Sequence, residues 1–79
     1  MTANNAIATF EGERRLYAAV RMKMLSAYPP SVYLLLADGR MVAVFASVAD
    51  ADEHARLQHF TSWIVKSLGN VEEEHITSP

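Results

Sequence analysis

Between Glu11 and Tyr28 the apolar positions Leu16, Val20, Met24 and Ala27 recur four, four and three residues apart, with Tyr17 and Tyr28 beside them. That spacing predicts an amphipathic helix starting at Glu11 or Glu13. Both acids lie where the positive end of a helix favours them. Pro29-Pro30 ends it, because proline lacks an amide donor and pushes the preceding residue out of the α region. The pattern then changes. Ser31 to Ala37 and Arg40 to Ser47 are rich in β-branched and aromatic residues and are separated by Asp38-Gly39. An Asp-Gly pair between two such runs predicts a two-residue type I′ hairpin, whose central residues both need positive φ. The turn sets a register of Ala37 opposite Arg40, Leu36 opposite Met41, Leu35 opposite Val42, Leu34 opposite Ala43, Tyr33 opposite Val44 and Val32 opposite Phe45.

In that register Val32, Leu34, Leu36, Met41, Ala43 and Phe45 share one face, and Tyr33, Leu35, Ala37, Val42 and Val44 share the other. Both faces are apolar, whereas a hairpin wetted on one side alternates apolar with polar. Ser47 reads as the N-cap of a second helix, with Asp50 at the position of a capping-box acid. The pattern predicts this helix from Val48 to Leu68, with a core stripe of Leu57, Phe60, Ile64 and Leu68 and a stop at Gly69-Asn70. Residues 1–10 read as a flexible tail, although Thr9 could cap the first helix, and the acidic 70–79 read as a second flexible tail. The expected fold is α+β, one αββα domain over 11–69. Each helix could cover one face of the hairpin. In the arrangement we prefer, both helices pack on the Val32/Phe45 face, and the Tyr33/Val44 face is completed by a second copy in a homodimer.

Composition sharpens this. A chain of 79 residues buries only about 60% of the surface its unfolded form exposes. Zero cysteines removes disulfides and thiolate zinc sites as staples and leaves a partner subunit. At 51% hydrophobic against 20% charged the chain is too apolar for disorder, yet no apolar run is long enough to span a membrane. Met1 to Thr9 has no basic residue ahead of an apolar stretch, so it does not read as a secretory signal, and the cytoplasm is the default location. Net charge is −2, with five of seven basic residues (Arg14, Arg15, Arg21, Lys23, Arg40) in the first half and six of nine acids (Asp50, Asp52, Glu53, Glu72, Glu73, Glu74) in the second. An isoelectric point near 5.8 argues against nucleic acid as the main partner.

Catalytic and metal chemistry find little support. His54 and His59 are five apart, about 140° around a helix at roughly 100° per residue, and cannot clamp one ion. Glu53-His54 and Glu74-His75 are sequence neighbours that do not share a face. With no glycine-rich loop, nucleophile elbow or carboxylate constellation, the chain reads as no enzyme, with no cofactor, metal or small-molecule substrate. On the expected second helix, Asp52, Arg56, His59, Trp63 and Lys66 align at the edge of the core stripe. Tryptophan, arginine and tyrosine concentrate binding energy at interfaces, although a tryptophan at a core edge is also an ordinary packing residue. Ala18, Met22 and Leu25 form a second apolar strip on the first helix. The expected protein-binding residues are therefore Trp63, Arg56, His59, Tyr33 and Met22. A nucleic-acid surface would draw on Arg14, Arg15, Arg21 and Lys23. Of these Arg14 and Arg21 align, Arg15 lies about 100° away and Lys23 is opposite Arg14, so no single phosphate-facing stripe forms.

Val32-Tyr33, Val44-Phe45, Ser47, Ala51 and Ala55 carry a resemblance. The segment from Val32 to Phe60 resembles the hairpin-helix unit of small proteins encoded by phages and other mobile elements, over about a third of the chain. It departs from them in having a full helix before the hairpin and a turn shortened to Asp38-Gly39. The resemblance implies a non-catalytic inhibitor or modulator of a host protein complex. A homodimeric nucleic-acid-associated regulator is the alternative, and a small enzyme the third. On the leading reading, Trp63→Ala would weaken partner binding more than it lowers the melting temperature.

Overall fold

Leu34, Leu35, Leu36 and Ala37 have no exposed surface, and successive side chains of a strand point to opposite faces. Both faces of this strand must therefore be covered. The computed structural model, which describes residues 10–78, shows how the chain does it. The elements are α1 (Glu11–Ala27), β1 (Tyr33–Ala37), β2 (Arg40–Phe45), α2 (Val48–Leu57), β3 (Trp63–Ser67) and β4 (Glu74–Thr77). The strands form one antiparallel sheet in the order β2-β1-β3-β4. α1 covers one face, where Phe10 and Tyr17 pack with Leu34, Leu36, Ile64 and Leu68. α2 covers the other, where Ala51 and Ala55 pack with Leu35, Ala37, Trp63 and Val65. Alanines four apart let the backbone of a short helix lie close against the sheet.

The fold is α+β with an αββαββ order, so the expected αββα layout lacks two strands. The preference for both helices on one face is also corrected. Each takes one side, so α2 gives the Tyr33 face the cover that was expected from a second copy, and β3 adds a strand neighbour to β1. The hairpin turn is as expected, with Asp38 at φ 54° and Gly39 at φ 77°. The register holds for Ala37↔Arg40 and Leu36↔Met41, then slips at a β-bulge so that Leu35 faces Ala43, Leu34 faces Val44 and Tyr33 faces Phe45. An extra residue in one strand reverses the facing of the residues beyond it. Val44 consequently packs on the α1 side and Phe45 on the α2 side, where its ring meets His54 with centroids 5.2 Å apart.

The first helix has its expected bounds within a residue, but its buried face is rotated. Tyr17 and Glu13 are buried, Leu16, Val20 and Met24 are half-buried, and Ala27 is exposed. Glu13 tolerates burial because its carboxylate accepts the Gly39 N–H at 2.7 Å, tying the start of α1 to the hairpin turn. Apart from Phe10, which is buried, the expected N-terminal tail and its Thr9 cap lie outside the described residues.

α2 begins as expected, with the Ser47 hydroxyl accepting the Asp50 N–H at 3.1 Å. It stops at Leu57, not Leu68. The Phe60 N–H bonds the Ala55 carbonyl at 3.1 Å, the His59 N–H bonds that of Arg56 at 3.0 Å, and His59 takes φ 65°. This is a Schellman stop with histidine in the left-handed position usually held by glycine, and Phe60 folds back beside Ala55 in the core. Trp63 to Ser67 is then strand, buried throughout. Gly69 is no helix stop. It lies beyond β3 and passes so close to Pro30 that a Cβ there would lie 2.7 Å from the Pro30 carbonyl oxygen. Within the acidic 70–79, expected as a tail, the chain turns through Asn70 and returns as β4 over Glu74–Thr77.

Trp63 is 3% exposed, and its indole N–H donates to Asp52 at 2.8 Å. The expectation that its loss affects binding more than folding is thereby reversed. Trp63→Ala is expected to cost about 3–5 kcal/mol in chemical denaturation. Glycine pays no steric penalty at positive φ, so we expect His59→Gly to stabilise by roughly 0.5–1 kcal/mol in the same assay.

Candidate protein-binding flank

Strands lie about 4.8 Å apart, so one helix of roughly 10 Å diameter cannot cover four of them. Among the described residues, no side chain of β4 belongs to either core cluster. Register places Glu74 and Ile76 on the α1 side of the sheet, in line with Lys66 and Ile64. Ser67 donates its N–H to the Glu73 carbonyl at 3.2 Å. By antiparallel alternation, the main-chain groups of Glu74 and Ile76 then point to the sheet's outer edge.

Polar side chains tie α1 to this overhang. Arg14 makes a forked pair with Glu74, Nε to Oε1 at 3.2 Å and a terminal nitrogen to Oε2 at 2.8 Å. Lys66 Nζ donates to Glu74 at 3.0 Å and to the Val71 carbonyl at 3.2 Å, and lies 4.6 Å from the centre of the Tyr17 ring. The Tyr17 hydroxyl donates to the Ser67 carbonyl at 2.6 Å, and Arg21 Nε donates to that of Leu68 at 2.9 Å. The Arg14 hydrogen bond is the main cause that lowers the Glu74 carboxyl to about 2, helped by Lys66 and opposed by burial. Glu74 in turn raises Arg14. Arg14 and Lys66 thus hold the one Glu74 carboxylate, while Arg21 caps the Leu68 and Gly69 carbonyls nearby, so these four side chains carry a positive excess.

Above this network runs a groove of about 390 Å³ between α1 and the β3–β4 loop, lined by Arg14, Tyr17, Ala18, Arg21, Met22, Lys66 and Val71. Met22 is 72% exposed and Val71 50%, and Ile76 on β4 is 49% exposed. The flank offers apolar side chains on a rigid base beside surplus positive charge. That arrangement suits a protein segment bearing apolar and acidic residues.

Of the five residues expected to bind protein, only Met22 lies here. Trp63 is core. Arg56 and His59 are exposed at the end of α2 on the opposite face. Tyr33 is half-buried on that same face, where its hydroxyl donates to Glu73 at 3.2 Å and Glu73 also meets His75 Nε2 at 2.9 Å. Glu73 is lowered chiefly by His75, and Tyr33 is raised chiefly by Glu73, which keeps that hydroxyl a donor. Val71 and Ile76 were missed because they fall in the segment read as a tail. Of the basic residues considered for nucleic acid, Arg14 and Arg21 turn onto the protein, Arg15 approaches Glu11 at 3.7 Å and Lys23 is exposed, so the four do not form one face. Among the described residues no three acidic, histidine or cysteine side chains group to hold a metal, and no helix is long and apolar enough to cross a membrane.

With its folded value near 2 and an ordinary value of 4.5, Glu74 stabilises the fold above its unfolded pKa, and that contribution is lost as pH falls towards the folded value. Glu74→Gln is expected to cost about 1–3 kcal/mol at neutral pH by leaving Lys66 without its carboxylate. The loss relative to wild type should shrink through that acid window, measured by urea denaturation at stepped pH. Comparison with known protein families, characterised proteins and solved structures found no match.

Proposed function

We propose that this protein is a non-catalytic protein-binding module that docks its partner on the flank between α1 and β4. The carrying observation is the exposure of Met22 and Val71 across a groove whose floor is pinned by the Arg14–Glu74–Lys66 network. Rigid polar support lowers the ordering cost of binding, so a small apolar contact can hold a partner. The positive excess selects for acidic segments and speeds encounter. The resemblance to mobile-element proteins would make the partner part of a host complex, with this chain as its inhibitor or modulator.

The test places a photo-crosslinking side chain at Met22, Val71 or, as control, Arg40, which is exposed at the hairpin tip on β2, the sheet edge opposite β4. We expect one discrete adduct from positions 22 and 71 in the cell of origin and none from 40. Met22→Asp should weaken binding of the purified partner by about tenfold or more with an unchanged melting temperature. Equal labelling from all three positions, or full affinity in Met22→Asp, would overturn the assignment.

A further inference from the structure

The uneven charge along the sequence becomes a polarity across the slab. α1 carries Arg14, Arg15, Arg21 and Lys23 against Glu11 and Glu13, an excess of two positive charges. Among its acidic and basic side chains, α2 carries Asp50, Asp52 and Glu53 against Arg56, an excess of two negative charges. The two helices lie on opposite faces of one sheet. On α2, Asp50, Glu53 and Leu57 are three and four apart, which puts them on one stripe, and all three are exposed. Leu57 is 67% exposed and Met22 is 72% exposed. The most exposed large apolar side chain of each helix therefore stands among charges of opposite sign to the other's.

From this we infer that the flank takes the α2 face of a second copy of the same chain, head to tail. The inference rests on the flank being a docking surface and names what occupies it when the protein is alone. Leu57 of one copy enters the groove between Met22 and Val71 of the next, and Asp50 and Glu53 meet the positive excess of its α1. A twofold dimer through either helix would set like charges against each other. The head-to-tail contact is heterologous, so it leaves one groove and one α2 face open at the ends and builds rings or filaments. A helix of ten residues is only about 15 Å long, so the contact is small, concentration-dependent and, being electrostatic at its rim, salt-sensitive.

Sedimentation velocity over a concentration series at low and high salt tests this. Wild type should grow beyond a dimer at low salt and return towards monomer at high salt. Met22→Asp blocks the groove and Leu57→Asp blocks the helix face, so each alone should associate about tenfold or more weakly than wild type. Mixed in equal amounts they should form a one-to-one dimer that goes no further, because one competent groove meets one competent α2 face. Glu53→Lys, also exposed, should act like Leu57→Asp and covers the case in which the latter disturbs folding. A wild type that stays monomeric, association indifferent to these variants, or a mixture that forms no dimer would overturn the inference. A monomeric wild type whose position 22 still crosslinks to another protein would remove only this occupant and leave the docking flank standing.

Discussion

The structure is organised by a central strand that no water reaches from either side. Fully burying a leucine side chain contributes roughly 1.5–3 kcal/mol, so Leu34, Leu35 and Leu36 together match a large part of the about 5–15 kcal/mol by which a whole domain is stable. A strand of that kind cannot sit at a sheet edge or on a wetted face. It needs a neighbour on each side and a helix above and below, which is the arrangement of β2, β3, α1 and α2 around β1. The short chain meets this demand by drawing β3 from its last third.

That solution leaves a remainder. With one helix per face, the sheet is wider than its cover, and the strand farthest from the helices is β4. The chain fastens this overhang with charge and not with grease. Glu74 draws Arg14 from α1 and Lys66 from β3, and Tyr17 anchors to the end of β3. Ion pairs half in water are weak in isolation, but here they fix a ledge on which Met22, Val71 and Ile76 stand exposed. The candidate surface is thus a by-product of how the core is satisfied.

Local signals that dominate their own few residues were legible in the sequence. Pro29-Pro30 ended α1, Asp38-Gly39 made the hairpin, and Ser47 capped α2. The apolar character of both hairpin faces was also legible, but cover for one of them was assigned to a second copy because both helices were placed on the other face, and β3 was taken for helix. Ile64 and Leu68 kept helical spacing with Leu57 and Phe60, and the stop that breaks this spacing uses His59 in a left-handed conformation, with no glycine to announce it. The Trp63-Ile64-Val65 run was the available signal for a strand. Losing that strand also lost β4, which has no partner without it, and hence Val71 and Ile76. The bulge in β2 depends on fitting both sheet faces at once, so no short window of residues reveals it.

Both the core and the flank depend on residues 63–67 pairing with β1 while α1 and α2 take opposite faces. Nuclear Overhauser contacts in the isolated protein measure this directly. Cross-strand contacts between Leu35 and Val65, with Tyr17 touching Leu36 and Ala55 touching Leu35, are the expected result. Continuous helical contacts running from Leu57 through Trp63 to Leu68, with Leu35 left facing solvent or a second molecule, would contradict it.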